Sequence, residues 1–168
     1  PGFGRTFRDH SDFRQYGGLI KLTHPIGQRL DLQSTSHVYW QDAELPGGLQ
    51  DSQYEADRFQ SDRLRSEDSR GGWRVGEALK LNADLAEGQA LQTIAYYNHT
   101  VRSTQLRNQE GDLQRQPRTY DALGVEPRYA LRLNHRRGIF QDLGVGLRGA
   151  YELADIQNFF VRPDGELS

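Results

Sequence analysis

The chain has 168 residues, a formal charge of -2 and 35% hydrophobic residues, with no cysteine. The lack of thiols removes disulfide frameworks, thiolate nucleophiles and cysteine metal sites, and the charge balance favours no nucleic acid. A mean hydropathy of -0.82 excludes a helical membrane protein, because no run approaches the ~20 apolar residues a spanning helix needs. It does not exclude a membrane β-barrel, in which only alternate strand residues must be apolar.

In chain order, strands are predicted over 15–23, 28–41, 73–85, 90–105, 118–134 and 141–158. The second alternates strictly: Leu30, Leu32, Ser34, Ser36, Val38 and Trp40 share one face, and Arg29, Asp31, Gln33, Thr35, His37 and Tyr39 share the other. The third repeats this with Leu79, Leu81, Ala83 and Leu85 against Lys80, Asn82 and Asp84. In the sixth, Leu143, Val145, Leu147, Tyr151 and Leu153 oppose Gly144, Gly146, Arg148, Ala150 and Glu152. An apolar spacing of two excludes a helix. The fourth strand is ambiguous, since Leu91, Ala95 and Tyr97 compete with Ile94 and Tyr96 for the outward face.

Connections alternate in length. Short turns are predicted at 24–27, 86–89 and 135–141, and long excursions at 42–72 and 106–117, with 1–14 and 159–168 read as truncated parts of others. All long loops therefore emerge on one side, as in outer-membrane barrels with short periplasmic turns and long extracellular loops. Loop 42–72 carries Pro46, Gly47, Gly48, Gly71 and Gly72 at its ends and a charged middle. Tyr39, Trp40, Trp73, Tyr120, Phe159 and Phe160 fall at loop-side ends, where an interfacial girdle is expected. Pro127 removes a ladder donor inside a strand, which a bulge would accommodate.

The fold class is thus all-β: a fragment of an antiparallel transmembrane β-barrel with about six long strands. Six strands are too few to close, since the smallest membrane barrels have eight. At about 3.3 Å per residue, 118–134 would reach roughly 55 Å, a length that points to the large plugged barrels of about 22 strands. The chain contains no methionine and no signal-peptide pattern, so it is expected to be a piece of a longer exported protein.

Two stretches carry a family resemblance. Arg118-Thr119-Tyr120-Asp121-Ala122-Leu123-Gly124-Val125-Glu126-Pro127-Arg128-Tyr129 resembles the strand with a G-V/I-E-P-R core in TonB-dependent siderophore receptors of the ferric-citrate branch. Gly17-Gly18-Leu19-Ile20-Lys21-Leu22-Thr23, followed by a turn and Leu30-Asp31-Leu32, is similar to barrel hairpins of that group. The resemblance implies a bacterial outer-membrane protein that takes up a ferric siderophore or ferric-citrate-like chelate. Its partners would be outer-membrane lipid and a TonB complex acting through a plug domain that residues 1–168 do not contain. It implies no enzyme, catalytic residue, resident metal or cofactor.

Ferric chelates present anionic oxygens, which suit guanidinium groups and phenols. Lys21 and Lys80 are the only lysines among 21 basic residues, so the basic chemistry is almost all arginine. The long loop offers Tyr54, Arg58, Arg63, Arg65 and Arg70 as ligand contacts, although Asp51, Glu55, Asp57, Asp62, Glu67 and Asp68 could pair with those arginines instead.

Other patterns are weaker. Gly144-Val145-Gly146-Leu147-Arg148-Gly149 matches the dinucleotide fingerprint but sits inside an alternating strand with no helix; small residues making room for neighbours explain Gly144 and Gly146 better. Asn98-His99-Thr100 is a glycosylation sequon that requires a eukaryotic secretory route. The five histidines lack metal-site spacing, and Ser34 or Ser36 with His99 is a remote hydrolase pair. Two alternatives to the receptor remain: a passive porin-like barrel without a plug, and a soluble β-rich binding module.

Overall fold

A computed structural model describes residues 2–5, 7–108, 111–135 and 139–161. The elements in chain order are β1 (Gly2–Arg5), β2 (Asp12–Ile26), β3 (Leu30–Glu44), α1 (Asp51–Ala56), a 3-10 turn (Arg63–Arg65), β4 (Ser69–Ala86), β5 (Gln89–Arg107), β6 (Leu113–His135), β7 (Ile139–Gly146), β8 (Gly149–Ile156) and β9 (Phe159–Val161). They form one antiparallel sheet in the order β1-β2-β3-β4-β5-β6-β7, with β8 and β9 also on β6. The sheet is open: the outer edges of β7 to β9, and of β2 beyond its short pairing with β1, meet no strand among the described residues.

A single twisted layer has no interior. The chain exposes 12436 Å², whereas a compact monomer of its mass would expose about 8,400 Å². Ala83 is the one buried hydrophobic residue among those described. What organises the sheet is register. Pairing places Leu22, Ser34, Leu79, Ala95 and Val125 in one row, and His24, Leu32, Leu81, Thr93 and Pro127 in the next. These rows continue the alternation read along each strand, so one whole face is dominated by Leu, Ile, Val and Trp. The opposite face carries Lys80, Arg128, Glu126 and Arg148. The fourth predicted strand is settled in the same way: Leu91, Ala95 and Tyr97 join the apolar face, and Ile94 and Tyr96 lie on the polar one, paired with Lys80 and Ala78.

Several expectations are corrected. The excursion expected at 106–117 shrinks to a connection at 108–112, because β5 and β6 stay paired from Gln89 opposite Leu131 to Arg107 opposite Leu113. The long loop is 45–68 rather than 42–72, and Gly71 and Gly72 lie within β4, opposite Asp42 and Gln41. Tyr39 and Tyr120 face the polar side, opposite Arg74 and Thr100, so they leave the girdle; Trp40 and Trp73 remain in it, paired with each other. Phe159 and Phe160 are successive residues of β9 and point to opposite faces. The turn expected at 135–141 lies partly outside the described residues.

Pro127 sits without a bulge. The offset between Arg128 opposite Gly146 and Val125 opposite Gly149 is unchanged across it. Its carbonyl accepts from the Leu147 N–H at 3.0 Å, and Pro117 does the same for Gln157 at 3.1 Å. Each proline lacks the N–H that would complete the pair, so β7, β8 and β9 are one strand interrupted opposite two prolines. At the short-turn end Gly88 has φ +72, and a Cβ there would stand 2.8 Å from the Arg132 carbonyl, so this position needs glycine twice over.

Candidate functional site

The polar face divides into a neutralised half and a cationic half. Toward the short turns, Arg128 and Arg148 both reach Glu126 at 3.3 Å, and Arg132 grips Asp142 through two nitrogens at 2.8 and 3.2 Å. Toward the loops the arginines have no such partners. Arg102 on β5 stands directly opposite Arg118 on β6 in the row that also contains Gln41 and Gly72. The next row holds Tyr39, Arg74, Thr100 and Tyr120, and the one on the other side holds Arg70, Thr104 and Gln116. Arg74 Nε donates to Thr100 Oγ1 at 3.2 Å, and Arg118 Nη2 donates to Gln116 Oε1 at 2.8 Å. Arg118 Nε is buried without any acceptor. None of these four arginines forms an ion pair among the described residues.

Directly opposed like charges destabilise a strand pair, and a buried guanidinium nitrogen without an acceptor adds to the cost. An anion lying over the row would relieve both. Room exists for one: a cleft of about 280 Å³ is lined by Tyr39, Gln41, Arg74, Thr100 and Arg102. Gly72 keeps its floor open, since a Cβ there would approach the Val101 carbonyl and come within 3.1 Å of Arg102 Cα. With arginine forks and phenols around it, the cleft suits a ligand rich in carboxylate oxygens.

The loop over the sheet is fastened down. Arg8 donates to the carbonyls of Gly47 at 2.7 Å, Gln60 at 3.1 Å and Pro46 at 3.2 Å, and Phe7 meets Phe59 edge-on at 6.4 Å. Asp68, which is 1% exposed, accepts from the Arg107 N–H at 2.7 Å. Its carbonyl meets His10 Nε2 at 2.9 Å.

The five loop residues expected to touch ligand do not converge. Tyr54 is exposed on α1. Arg58 lies over the Phe59 ring at 4.9 Å. Arg63 and Arg65 occupy the 3-10 turn, and Arg65 is engaged by Asp62 at 3.8 Å and Asp68 at 3.4 Å, the internal pairing anticipated for this loop. Arg70 is a strand residue and joins the cationic half of the sheet. Arg74, Arg102 and Arg118 were not anticipated; their polar-face parity was visible, but their convergence depends on register. The serines and His99 form no nucleophile–base pair: Ser34 and Ser36 donate to Glu77, and His99 meets Asp121. Among the described residues no group of acidic and histidine side chains could hold a metal ion.

Long antiparallel strands with one apolar and one polar face define a segment of a transmembrane β-barrel wall. No protein-family model matches the chain. A solved structure described as the ferric citrate transporter FecA in the unliganded form is similar over 97% of this chain, with a TM-score of 0.86 and 26% identity. The chain corresponds to 24% of that structure, so it spans about a quarter of the transporter's length.

Proposed function

We propose that this chain is part of the barrel wall of a TonB-dependent outer-membrane receptor for a negatively charged ferric chelate of the citrate type. The cationic half of its polar face would line the lumen at the ligand's level. The carrying observation is the opposed pair Arg102 and Arg118, left without a carboxylate among the described residues while the arginines toward the short turns are neutralised. Likeness to a ferric citrate transporter supports the same ligand class. Open sheet edges are not tolerated in hydrocarbon, so the segment would work only with further strands beside it. Its plug, its TonB contact and the energised step belong to the whole receptor and are inferred by kinship. The loop residues Tyr54, Arg58 and Arg63 would be outer contacts, with Arg65 holding the loop and Arg70 joining the lumen set.

The test is ferric citrate binding to the full-length receptor carrying Arg102→Gln and Arg118→Gln, measured calorimetrically beside the parent. Loss of charged hydrogen bonds worth about 1.5–3 kcal/mol each would weaken binding by at least ~10-fold. Unchanged affinity in a correctly assembled barrel would remove the arginine row from the site. Replacing Arg63 and Arg65 together is expected to weaken binding without lowering the surface level; unchanged affinity there would remove the loop.

A further inference from the structure

A lid needs a hinge, and neither end of the loop between β3 and β4 is free to act as one. Hinges are a few residues able to absorb changes in φ and ψ, and loops that open are those with few buried contacts. Where this loop leaves and rejoins the sheet, the Leu45 N–H donates to the Asp68 carbonyl at 2.9 Å. The same carbonyl meets His10 Nε2 at 2.9 Å, so both of its lone pairs are engaged. The Asp68 side chain, 1% exposed, accepts from the Arg107 N–H at 2.7 Å and from Arg65 Nη1 at 3.4 Å. On the β5 side Gln105 donates to the Glu67 carbonyl at 3.1 Å, and Arg107 pairs with the Glu67 carboxylate.

The body of the loop is fastened separately, by residues 7–11 between β1 and β2. Arg8 donates to the carbonyls of Pro46, Gly47 and Gln60, two at the start of the loop and one well along it. A guanidinium holds its five N–H donors in a rigid fork, so this one side chain sets the spacing of two separated stretches of backbone. The Asp9 N–H adds a bond to the Phe59 carbonyl at 2.8 Å, and within the loop the Asp62 N–H reaches the Pro46 carbonyl at 3.0 Å. Joining these stretches shortens the free chain and reduces the entropy that opening would release. The strap is itself held in shape. His10 has φ +52, a conformation that a non-glycine residue keeps only where its surroundings impose it. Ser11, 4% exposed, donates to the Arg8 carbonyl.

We propose that loop 45–68 is a fixed wall and not a lid, that it keeps one conformation with and without ligand, and that Arg8 is the residue that fixes it. Any closure over a ligand is then left to other loops. The proposal uses the receptor reading only to place this loop outside the membrane, and it goes beyond that reading by assigning the loop a mechanical role.

The test places nitroxide labels on Leu64→Cys in the loop and Leu22→Cys on β2, positions 71% and 64% exposed. Residues 1–168 contribute no competing thiol. Pulsed dipolar distances are measured in the full-length receptor in phosphatidylcholine vesicles, with and without saturating ferric citrate. One narrow distance, the same in both states, is expected. Two populations, a broad distribution, or a shift beyond about 2 Å, the scale of a loop rearrangement, overturns the proposal. Arg8→Ala is expected to speed hydrogen exchange of loop amides in 50–62 by at least ~10-fold, since bonds from a charged donor are lost. Unchanged exchange in an assembled barrel, reported by heat-modifiable mobility, overturns the role of Arg8. The distance measurement needs no Arg8 variant and decides the proposal even if that variant fails to assemble. If ferric citrate does not bind, the ligand reading fails, while the width of the ligand-free distribution still decides this inference.

Discussion

The two faces of this sheet are built from the same strands yet handle charge in opposite ways. On the apolar face, between the Trp40–Trp73 row and the short turns, the carboxylates Glu77 and Asp121 are each tied to hydroxyls, a phenol or an imidazole. On the polar face arginines are frequent, and toward the loops Arg102 and Arg118 are left facing one another. The difference teaches that isolation of charge is informative only against its solvent. A lone carboxylate against lipid must be satisfied locally, whereas unpaired arginines against a water-filled lumen can wait for an anionic ligand.

The comparison breaks most readily at the hydrocarbon side. Leu79→Arg puts a cation on the apolar face and is expected to cost about 2–4 kcal/mol near the bilayer midplane, read as a fall in assembled barrel after folding into vesicles. Its neighbour Lys80 faces the other way, and Lys80→Gln should change stability by no more than about 0.5 kcal/mol. Equal losses from both would mean that the faces are assigned wrongly.

On the lumen side the largest effect is on binding, the loss already expected for Arg102→Gln with Arg118→Gln. The same double change should leave barrel stability unchanged or slightly raised, because it removes an opposed like-charge pair. A stability loss accompanying the binding loss would make the pair a structural element instead.

A smaller contrast concerns packing within the wall. Gly72→Ala drives a methyl against the Val101 carbonyl and the Arg102 backbone and is expected to cost about 1–3 kcal/mol. Gly18→Ala meets only Val38 Cγ1 at 3.6 Å, an ordinary contact, and should be tolerated. The denaturant midpoint for barrel unfolding checks both. Smallest is Pro127→Thr, which restores a ladder donor on β6 beside Leu147 and is expected to stabilise by about 0.5–1.5 kcal/mol. A decrease would show that the interruption between β7 and β8 relieves a strain that the pairing does not reveal.

In β3, β4 and the segment from β7 to β8, the residues that share a face were determined by the sequence alone, because alternation is a local property with a period of two. The long loop after β3 was legible from Pro46, Gly47, Gly48 and its charged middle, whereas the second long excursion was not, because β5 and β6 stay paired out to Arg107 and Leu113. Tertiary structure decided what depends on neighbours distant along the chain. Gly71 and Gly72 look like loop residues in isolation, yet the ladder to Asp42 and Gln41 absorbs them. The face of β5 was undecided because Ile94 and Tyr96 are as apolar as their rivals; Tyr96 takes the polar face and lies over Gly124, where a Cβ would come within 2.5 Å of its ring. Bringing Arg102 against Arg118, and Ser34 and Ser36 against Glu77, likewise required the register of two strand pairs, β5 with β6 and β3 with β4. Register is set by non-local pairing, and a slip of one residue would move every one of these side chains to the opposite face.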